Sequence, residues 1–155
     1  TSPLELSPNV AVVYSFSKVF SAPGLRIGAV VAPREVAREV ARFNKATINV
    51  PPTHVQRAVA SVIDVLPRRR REISEIYRRR AELAAKTLRL PFVKPAGAFY
   101  IFPRANAGCF EKALQAGVSV LPGELYGRPG HVRIALVEPE DALEEAFEVL
   151  NRACG

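Results

Sequence analysis

The 155-residue chain contains no methionine and no tryptophan, and it has only two cysteines and two histidines. Two cysteines are too few for the disulfide framework that holds small secreted scaffolds together. Cys109 and Cys154 also form no cluster with His54 and His131 at metal-ligand spacing, so we expect no structural zinc and no other metal site. Because the first residue is Thr1 and not methionine, we expect a processed chain or a fragment of a longer protein.

Long apolar runs are also absent. The longest, such as residues 27–32, are far too short to cross a bilayer, and no cationic region followed by an apolar stretch opens the chain. Hydrophobic residues make up 48% and charged residues 24%, which argues against disordered, collagen-like and coiled-coil architectures. The sequence therefore predicts a soluble, cytoplasmic protein with no membrane partner, built as one ordinary domain or two small ones.

The formal net charge of +7 raises the question of nucleic-acid binding. Seven arginines in residues 68–71 and 78–80 account for much of this excess, and they are expected to cover the solvated face of a helix. Binding of single strands would also need aromatic side chains beside the basic groove, whereas Phe99, Tyr100 and Phe102 lie in a separate apolar segment. We expect no nucleic-acid partner, and basic nucleic-acid binding is kept only as an alternative.

The first third of the chain has the pattern of a buried sheet followed by a helix. Residues 10–14 predict a buried strand, and residues 27–32 predict a second strand that is buried on both faces, as in an α/β sheet. A helix is predicted after Pro33. Its apolar stripe comprises Val36, Val40 and Phe43.

Two further helices are predicted in the middle of the chain. Thr53 is the expected N-cap of the first, with Gln56 completing a capping box, and its apolar positions extend to Leu66. The second helix is predicted over residues 67–88. Its stripe comprises Ile73, Ile76, Tyr77, Leu83 and Ala84.

The last third predicts a small α+β unit. Residues 92–102 are expected to be extended, residues 109–116 to form a short helix, and residues 118–121 and 132–137 to form strands. A terminal helix is predicted over residues 139–153. Its inward side chains are Leu143, Phe147 and Leu150.

The connection between the first two strands carries the candidate chemistry. Lys18, in a loop at the end of a buried strand, could be desolvated enough to act as a neutral amine in Schiff-base chemistry. Ser15 supplies a hydroxyl group and Arg26 a planar fork of donors, and both can meet one phosphate near Lys18 if Gly24 lets the chain turn back. A phosphorylated carbonyl cofactor fits these three residues.

Other interpretations of the same residues are open. Taken singly, Lys18 is a surface lysine, Ser15 a local cap and Arg26 an ion-pairing residue. Ser-x-x-Lys also opens the signature of penicilloyl-serine transferases, but the Ser-Asp-Asn and Lys-Thr-Gly partners of that signature are absent.

The string SFSKVFSAPGLRIG, residues 15–28, resembles the cofactor attachment segment of the class I/II aminotransferases, which are pyridoxal-phosphate enzymes of the aspartate aminotransferase-like fold type I. The resemblance implies that Lys18 forms the Schiff base with pyridoxal 5'-phosphate. It also implies that Ser15 and Arg26 hold the cofactor phosphate.

Three C-terminal segments extend this resemblance. KPAGAFYIFP, residues 94–103, is similar to the family's Pro-x-Gly-x-Phe-Tyr segment near the substrate pocket. GVSVLPGELYG, residues 117–127, resembles the glycine-rich strand and turn that follow, with Tyr126 where phenylalanine is more usual. HVRIA, residues 131–135, resembles the Val-Arg-Ile strand, which implies that Arg133 grips the substrate α-carboxylate.

The resemblance implies an α/β fold: the end of the large-domain sheet of a pyridoxal-phosphate transferase, then helices, then a small α+β domain. The expected boundaries are residues 1–50 for the part of the cofactor-binding large domain, 51–90 for interdomain helices and 91–155 for the small domain. Only the C-terminal part of the family pattern is matched, and it omits the aspartate that pairs with the pyridine nitrogen. The chain alone is therefore expected to be inactive.

For the complete enzyme, the resemblance implies transfer of an amino group between an amino acid and a keto acid, and a homodimer. Two alternatives stand beside this function. One is another fold type I reaction, such as that of a lyase. The other is a non-catalytic fragment or small domain that acts through protein association.

Overall fold

A computed structural model describes residues 3–155 of the chain. The chain separates into two compact units, of which the first ends at Arg71 and the second runs from Glu72 to Gly155. Helices and small antiparallel sheets make up both, so the fold is of mixed helix and sheet, as the sequence predicts.

The first unit contains one pair of antiparallel strands. After a short helix α1 (Pro3–Leu6), strand β1 (Val12–Ser15) pairs with β2 (Gly28–Val31). The prediction that these strands are buried is wrong for this structure, because Val13 is 80% exposed and every residue of β2 is exposed. Apolar β-branched residues favour a covered strand, but within this pair only Val12 and Tyr14 are even half-buried.

Helix α3 (Arg34–Thr47) follows Pro33, as predicted. Its predicted apolar stripe is not buried: Val36 is 42% exposed and Phe43 is 68% exposed. The periodicity therefore identifies the helix correctly, whereas the covering layer that such a stripe normally implies is absent from the described residues of this unit.

Helix α4 (Thr53–Ser61) begins at the predicted place with a different cap. Pro52 occupies the N-cap position, and the Gln56 side chain donates to the Pro51 carbonyl at 2.7 Å, so the predicted capping box of Thr53 and Gln56 is wrong. The fixed φ angle of proline suits the start of a helix, and Thr53 becomes the first residue of the helix. The helix also ends before Leu66, because a 3-10 turn (Ile63–Val65) interrupts it.

The long helix α5 (Leu66–Thr87) confirms the prediction for this region within a residue at each end. In the part of it that belongs to the second unit, Ala81 and Ala84 are buried, while the larger members of the predicted stripe are half-buried. Like every other helix in residues 3–155, α5 is not long and apolar enough to cross a membrane.

The second unit is a three-stranded sheet with two further helices. Its elements are β3 (Tyr100–Ile101), α6 (Cys109–Gln115), β4 (Leu121–Pro122), β5 (Val132–Ala135) and α7 (Glu140–Cys154). The strand order is β3-β5-β4, and both neighbours are antiparallel to β5. β3 and β5 are shorter than their predicted runs, and β4 overlaps its predicted run, residues 118–121, only at Leu121.

Alternation along β5 separates a core face from an open face. Val132 and Ile134 are buried. The alternate residues, Arg133 and Ala135, are half-buried. Helix α7 packs its predicted stripe into the same core: Phe147 and Leu150 are fully buried and Leu143 is 3% exposed. The prediction for the terminal helix is therefore confirmed.

Cys109 and Cys154 form a disulfide that joins the start of α6 to the end of α7. The sequence predicts no disulfide framework, and a single bond does not contradict that prediction. The pairing of these two cysteines is nevertheless not predicted by the sequence. Two cysteines that are 45 residues apart give no sequence signal of their contact. Only the packing of α6 against α7 brings them together.

Candidate functional site

Backbone pairing brings the two ends of the Lys18 connection together. Ser15, at the end of β1, is the register partner of Gly28, and the Phe16 N–H donates to the Ile27 carbonyl at 3.3 Å. A Cβ atom on Gly28 would lie 2.6 Å from the Tyr14 carbonyl oxygen, so the close approach of the strands requires glycine here.

Lys18 lies on a single helical turn, α2 (Phe16–Val19), directly after β1. Ser15 is the N-cap of this turn, since its Oγ accepts from the Ser17 N–H at 3.4 Å. Ser17 and Val19 are buried, whereas Lys18 between them is exposed. The expectation of a desolvated loop lysine is therefore wrong for this structure, because Lys18 is exposed although both of its neighbours are buried.

The chain turns back toward β2 through residues other than the one predicted. Gly24 lies within a 3-10 turn (Pro23–Leu25), and the left-handed backbone conformations occur at Ser21 (φ 51°) and Arg26 (φ 50°). Non-glycine residues in this region cost on the order of 1 kcal/mol each, and such strain tends to persist at functional sites. The Arg26 Nη1 donates to the Pro23 carbonyl at 3.1 Å, which helps to fix the guanidinium.

The electrostatics of this connection favour an anion. Residues 14–31 contain Lys18 and Arg26 but no aspartate or glutamate. Helix α2, which carries Lys18, contacts the 3-10 turn that directly precedes Arg26. The arrangement offers two cations and a serine hydroxyl, which is the donor set that a phosphate group prefers.

Arg133 projects from the open face of the central strand β5, opposite Leu121 of β4. Its guanidinium carbon, Cζ, lies over two aromatic rings, 4.5 Å from the centroid of Tyr100 and 4.4 Å from that of Tyr126. Tyr100 is the register partner of Ala135, so it is the diagonal neighbour of Arg133 on the same face.

Arg80 provides a contrast within the same unit. It is also half-buried, but its Nη1 donates to the Leu136 carbonyl at 2.9 Å. This hydrogen bond links α5 to the end of β5 and stabilises the fold. Within residues 3–155, the contacts of the Arg133 guanidinium are the two tyrosine rings, with no acceptor oxygen among them. Arg80 therefore has a protein acceptor in this unit, whereas the contacts given for Arg133 are to aromatic rings.

The position of Tyr126 depends on the turn that precedes it. Tyr126 ends a 3-10 turn (Gly123–Tyr126), in which the Gly123 N–H donates to the His131 carbonyl at 2.8 Å. A Cβ on Gly123 would collide with the carbonyl oxygens of Arg128 and His131. The sequence marks the tyrosine as a departure from phenylalanine but gives no indication of its contact with Arg133.

The structure thus places Ser15, Lys18 and Arg26 on the one connection between β1 and β2 in the first unit, and it places Arg133 on the sheet of the second. In the described part of the chain, no group of three or more His, Cys, Asp and Glu side chains could hold a metal ion.

Comparison with known proteins identifies relatives of this chain. Residues 2–150 match the family described as aminotransferase class I and II. The aspartate aminotransferase of Thermococcus kodakarensis is 37% identical over 137 residues, which cover 85% of this chain and 38% of that protein. The aromatic-amino-acid aminotransferase 2 of Thermococcus litoralis is 36% identical over 155 residues, covering 88% of this chain and 39% of that protein.

A solved structure gives the same result in three dimensions. The aspartate aminotransferase of Thermus thermophilus with maleate superposes with a TM-score of 0.87 at 30% identity, covering 98% of this chain and 43% of that one. The chain therefore spans about two fifths of the length of the relatives that it matches.

Proposed function

The chain belongs to the aminotransferase class I and II family, and from that membership we propose that the protein containing it moves an amino group between an amino acid and a keto acid, with pyridoxal 5'-phosphate as cofactor. The observation that carries this proposal is the local arrangement of Ser15, Lys18 and Arg26 on one connection without acidic residues.

The residues present fit the cofactor. Its phosphate is an anion, and it would be held by the Ser15 hydroxyl and the Arg26 guanidinium, because Ser15 pairs with Gly28 and Arg26 lies two residues before that glycine. Its carbonyl group requires a primary amine, and Lys18 is exposed on the turn that Ser15 caps. When bound, pyridoxal 5'-phosphate supplies an electron sink that stabilises negative charge on the substrate α-carbon.

Lys18 has two tasks in this proposal. Its amine would hold the carbonyl carbon of the cofactor, and the same Nζ would take the proton of the substrate α-carbon and return it. The buried Ser17 and Val19 on either side hold the turn in place, so the lysine stays within reach of both atoms.

Arg133 would bind the substrate α-carboxylate. A carboxylate pairs with the edge of a guanidinium through two parallel hydrogen bonds, and the Arg133 donors have no acceptor oxygen among the described residues. The Thermus thermophilus enzyme was solved with maleate, which is a dicarboxylate, and maleate is therefore the probe that we choose for this site.

We propose activity for a protein of the relatives' length and not for these 155 residues alone. The family's aspartate partner of the pyridine nitrogen has no counterpart in the motifs matched here. Asp64 lies in the 3-10 turn before α5 and Asp141 in the first turn of α7, and neither adjoins the Lys18 connection in sequence. Another fold type I reaction, such as that of a lyase, is the alternative that shares all of these residues.

Protein association is the second candidate function. It is favoured by the apolar side chains that the first unit leaves exposed, such as Val13 and Phe43. We further propose a cytoplasmic homodimer, which rests on the family resemblance. Sedimentation of the protein at several concentrations tests the dimer.

Absorption spectroscopy tests the cofactor proposal. Pyridoxal 5'-phosphate added to the protein of family length should give a visible band that shifts when an amino acid is added and returns when a keto acid follows. Lys18→Ala should remove the protein-bound band, whereas Lys45→Ala, an exposed lysine on α3 of the same unit, should keep it. Equal spectra for both variants would contradict the proposal, and a band without amino-group exchange would favour the lyase alternative.

A further inference from the structure

The contacts of Arg133 point to a second layer of residues behind the proposed carboxylate site. A guanidinium on a strand surface is normally free to rotate about several side-chain bonds, and fixing such a side chain costs rotamer entropy. In this chain the Cζ of Arg133 is 4.5 Å and 4.4 Å from two tyrosine ring centroids. Both distances are well within the range of a cation–π contact.

We propose that Tyr100 and Tyr126 flank the two faces of the Arg133 guanidinium and act as positioning residues. This pair, the tyrosine clamp, holds the plane of the guanidinium and leaves only its edge open. The inference rests on the proposed role of Arg133 in binding the substrate carboxylate.

The two halves of the clamp are supported differently. Tyr100 is held by the sheet, since its backbone pairs with Ala135, and its ring lies 4.2 Å from that of Phe99. Tyr126 is held by the Gly123 turn and by the edge of Phe102, whose ring meets the Tyr126 ring at 85° with centroids 6.1 Å apart. Phe102 in turn stacks on His131 at 5.2 Å. Each ring is therefore fixed by contacts that do not involve Arg133.

The clamp has a chemical consequence. The donors of a guanidinium lie in its plane, so a ligand oxygen above or below that plane cannot be hydrogen-bonded well. Rings on both faces exclude water and counter-ions from those directions. A carboxylate then has one approach, along the edge, and this geometry would set the orientation of the substrate α-carbon.

The clamp also depends on ring faces and not on the tyrosine hydroxyl groups. A phenylalanine at position 126 should therefore serve as well as the tyrosine, whereas an aliphatic side chain should not. Tyr126 is 45% exposed, so its replacement is expected to leave the core of the second unit folded.

Nuclear magnetic resonance on the 155-residue chain tests the clamp without any assay of activity. With arginine labelled selectively, the Arg133 side-chain protons should be shifted upfield by the rings above and below them. Tyr126→Leu should reduce this shift, while Tyr126→Phe and the control Leu125→Ala, an exposed neighbour in the same turn, should retain it. Random-coil shifts for Arg133 in the unmodified chain would overturn the proposal.

Binding of maleate to the cofactor-loaded protein of family length separates the clamp from the proposed function. Tyr126→Leu should raise the Kd for maleate and the KM for the amino acid by about 2- to 30-fold, the range of one cation–π contact, with a smaller change in kcat. Tyr126→Phe should bind as the unmodified protein does. If Arg133→Lys weakens maleate binding and Tyr126→Leu does not, the clamp is refuted and the carboxylate site stands. If Arg133→Lys changes nothing, the carboxylate site itself is refuted.

Discussion

The two units of this chain place their apolar side chains in different ways. In the second unit, fifteen buried hydrophobic residues form one cluster, and Phe147, Leu150 and Leu136 are fully enclosed in it. In residues 3–71, the buried hydrophobic residues are Val19, Val55 and Val59, and both strands and the main helix expose their apolar faces. The segment that carries Lys18 lies in the unit that buries little, while Arg133 projects from the unit with its own core.

The proposed cofactor-binding residues therefore lie in one unit, and the larger hydrophobic core lies in the other. In the first unit, the Lys18 connection is shaped by backbone pairing, a serine cap and two left-handed residues, with few buried side chains behind them. In the second unit, Arg133 stands on a strand whose alternate side chains form the core. Substitutions in the first unit should therefore change activity more than stability, and substitutions in the core of the second unit should do the reverse.

The largest effect is expected from Lys18→Ala. Loss of the amine removes both cofactor attachment and proton transfer, and the second of these alone is worth about 10²- to 10⁴-fold in rate. Steady-state kinetics of the family-length protein should show this loss in kcat with an unchanged midpoint of thermal unfolding. Lys45→Ala is the matched control and should retain full activity; a Lys18→Ala variant as active as this control would contradict the assignment.

A pair of phenylalanine substitutions tests the packing half of the comparison. Phe147→Ala opens a cavity in the second unit and should lower the free energy of unfolding by about 3–5 kcal/mol. Phe43→Ala removes a ring that is 68% exposed and should cost less than about 1 kcal/mol in the 155-residue chain. Urea unfolding measures both. A similar loss of unfolding free energy at the two positions would show that Phe43 is covered. That result would contradict the difference in burial between the two units.

Reduction of the Cys109–Cys154 disulfide should affect one unit only. These are the only cysteines in the chain, and both belong to the second unit. Removing a crosslink of this kind typically lowers the free energy of unfolding by about 2–4 kcal/mol. Urea unfolding with and without a thiol reductant measures the change, and Cys154→Ser should unfold identically in both conditions. Oxidised and reduced chains of equal stability would argue that the bond contributes nothing.

The smallest effect concerns the exposed ion pairs of α5. Hydrogen bonds from Arg78, at 2.6 Å and 3.0 Å, lower the pKa of Glu75 below its ordinary value. The stabilisation is therefore present above the ordinary glutamate pKa and is lost as the pH falls through the lowered one. Titration of Glu75 by nuclear magnetic resonance should show an upward shift of its pKa in Arg78→Ala. High salt should shrink the difference.

The success of the sequence predictions follows the same division. Hydrophobic periodicity locates the helices in both units, and it identifies the buried side chains of α7, since Leu143, Phe147 and Leu150 pack into a core that the chain itself supplies. The same periodicity does not predict that β2 and α3 are exposed. An apolar face indicates that other residues should cover it, but it does not indicate that those residues belong to these 155. Capping at Thr53 fails for a local reason, since Pro52 takes the cap position.

The candidate site is predictable to a similar degree. The motif around Lys18 indicates three candidate functional residues by resemblance, but the roles of Ser21 and Arg26 in turning the chain depend on left-handed backbone conformations, which a non-glycine residue does not signal in the sequence. The tyrosine clamp joins residues 26 positions apart across a sheet, so only the strand register reveals it. The disulfide escapes prediction because only the packing of α6 against α7 brings Cys109 and Cys154 together.

Reductive trapping tests directly whether Lys18 binds pyridoxal 5'-phosphate. The protein of family length is incubated with pyridoxal 5'-phosphate, reduced with borohydride and digested, and the modified peptide is identified by mass spectrometry. We predict a single stable adduct on Lys18, absent after prior exposure to excess amino acid and unaffected in Lys45→Ala. An adduct on another lysine, or none on Lys18 in the unmodified protein, would contradict the account.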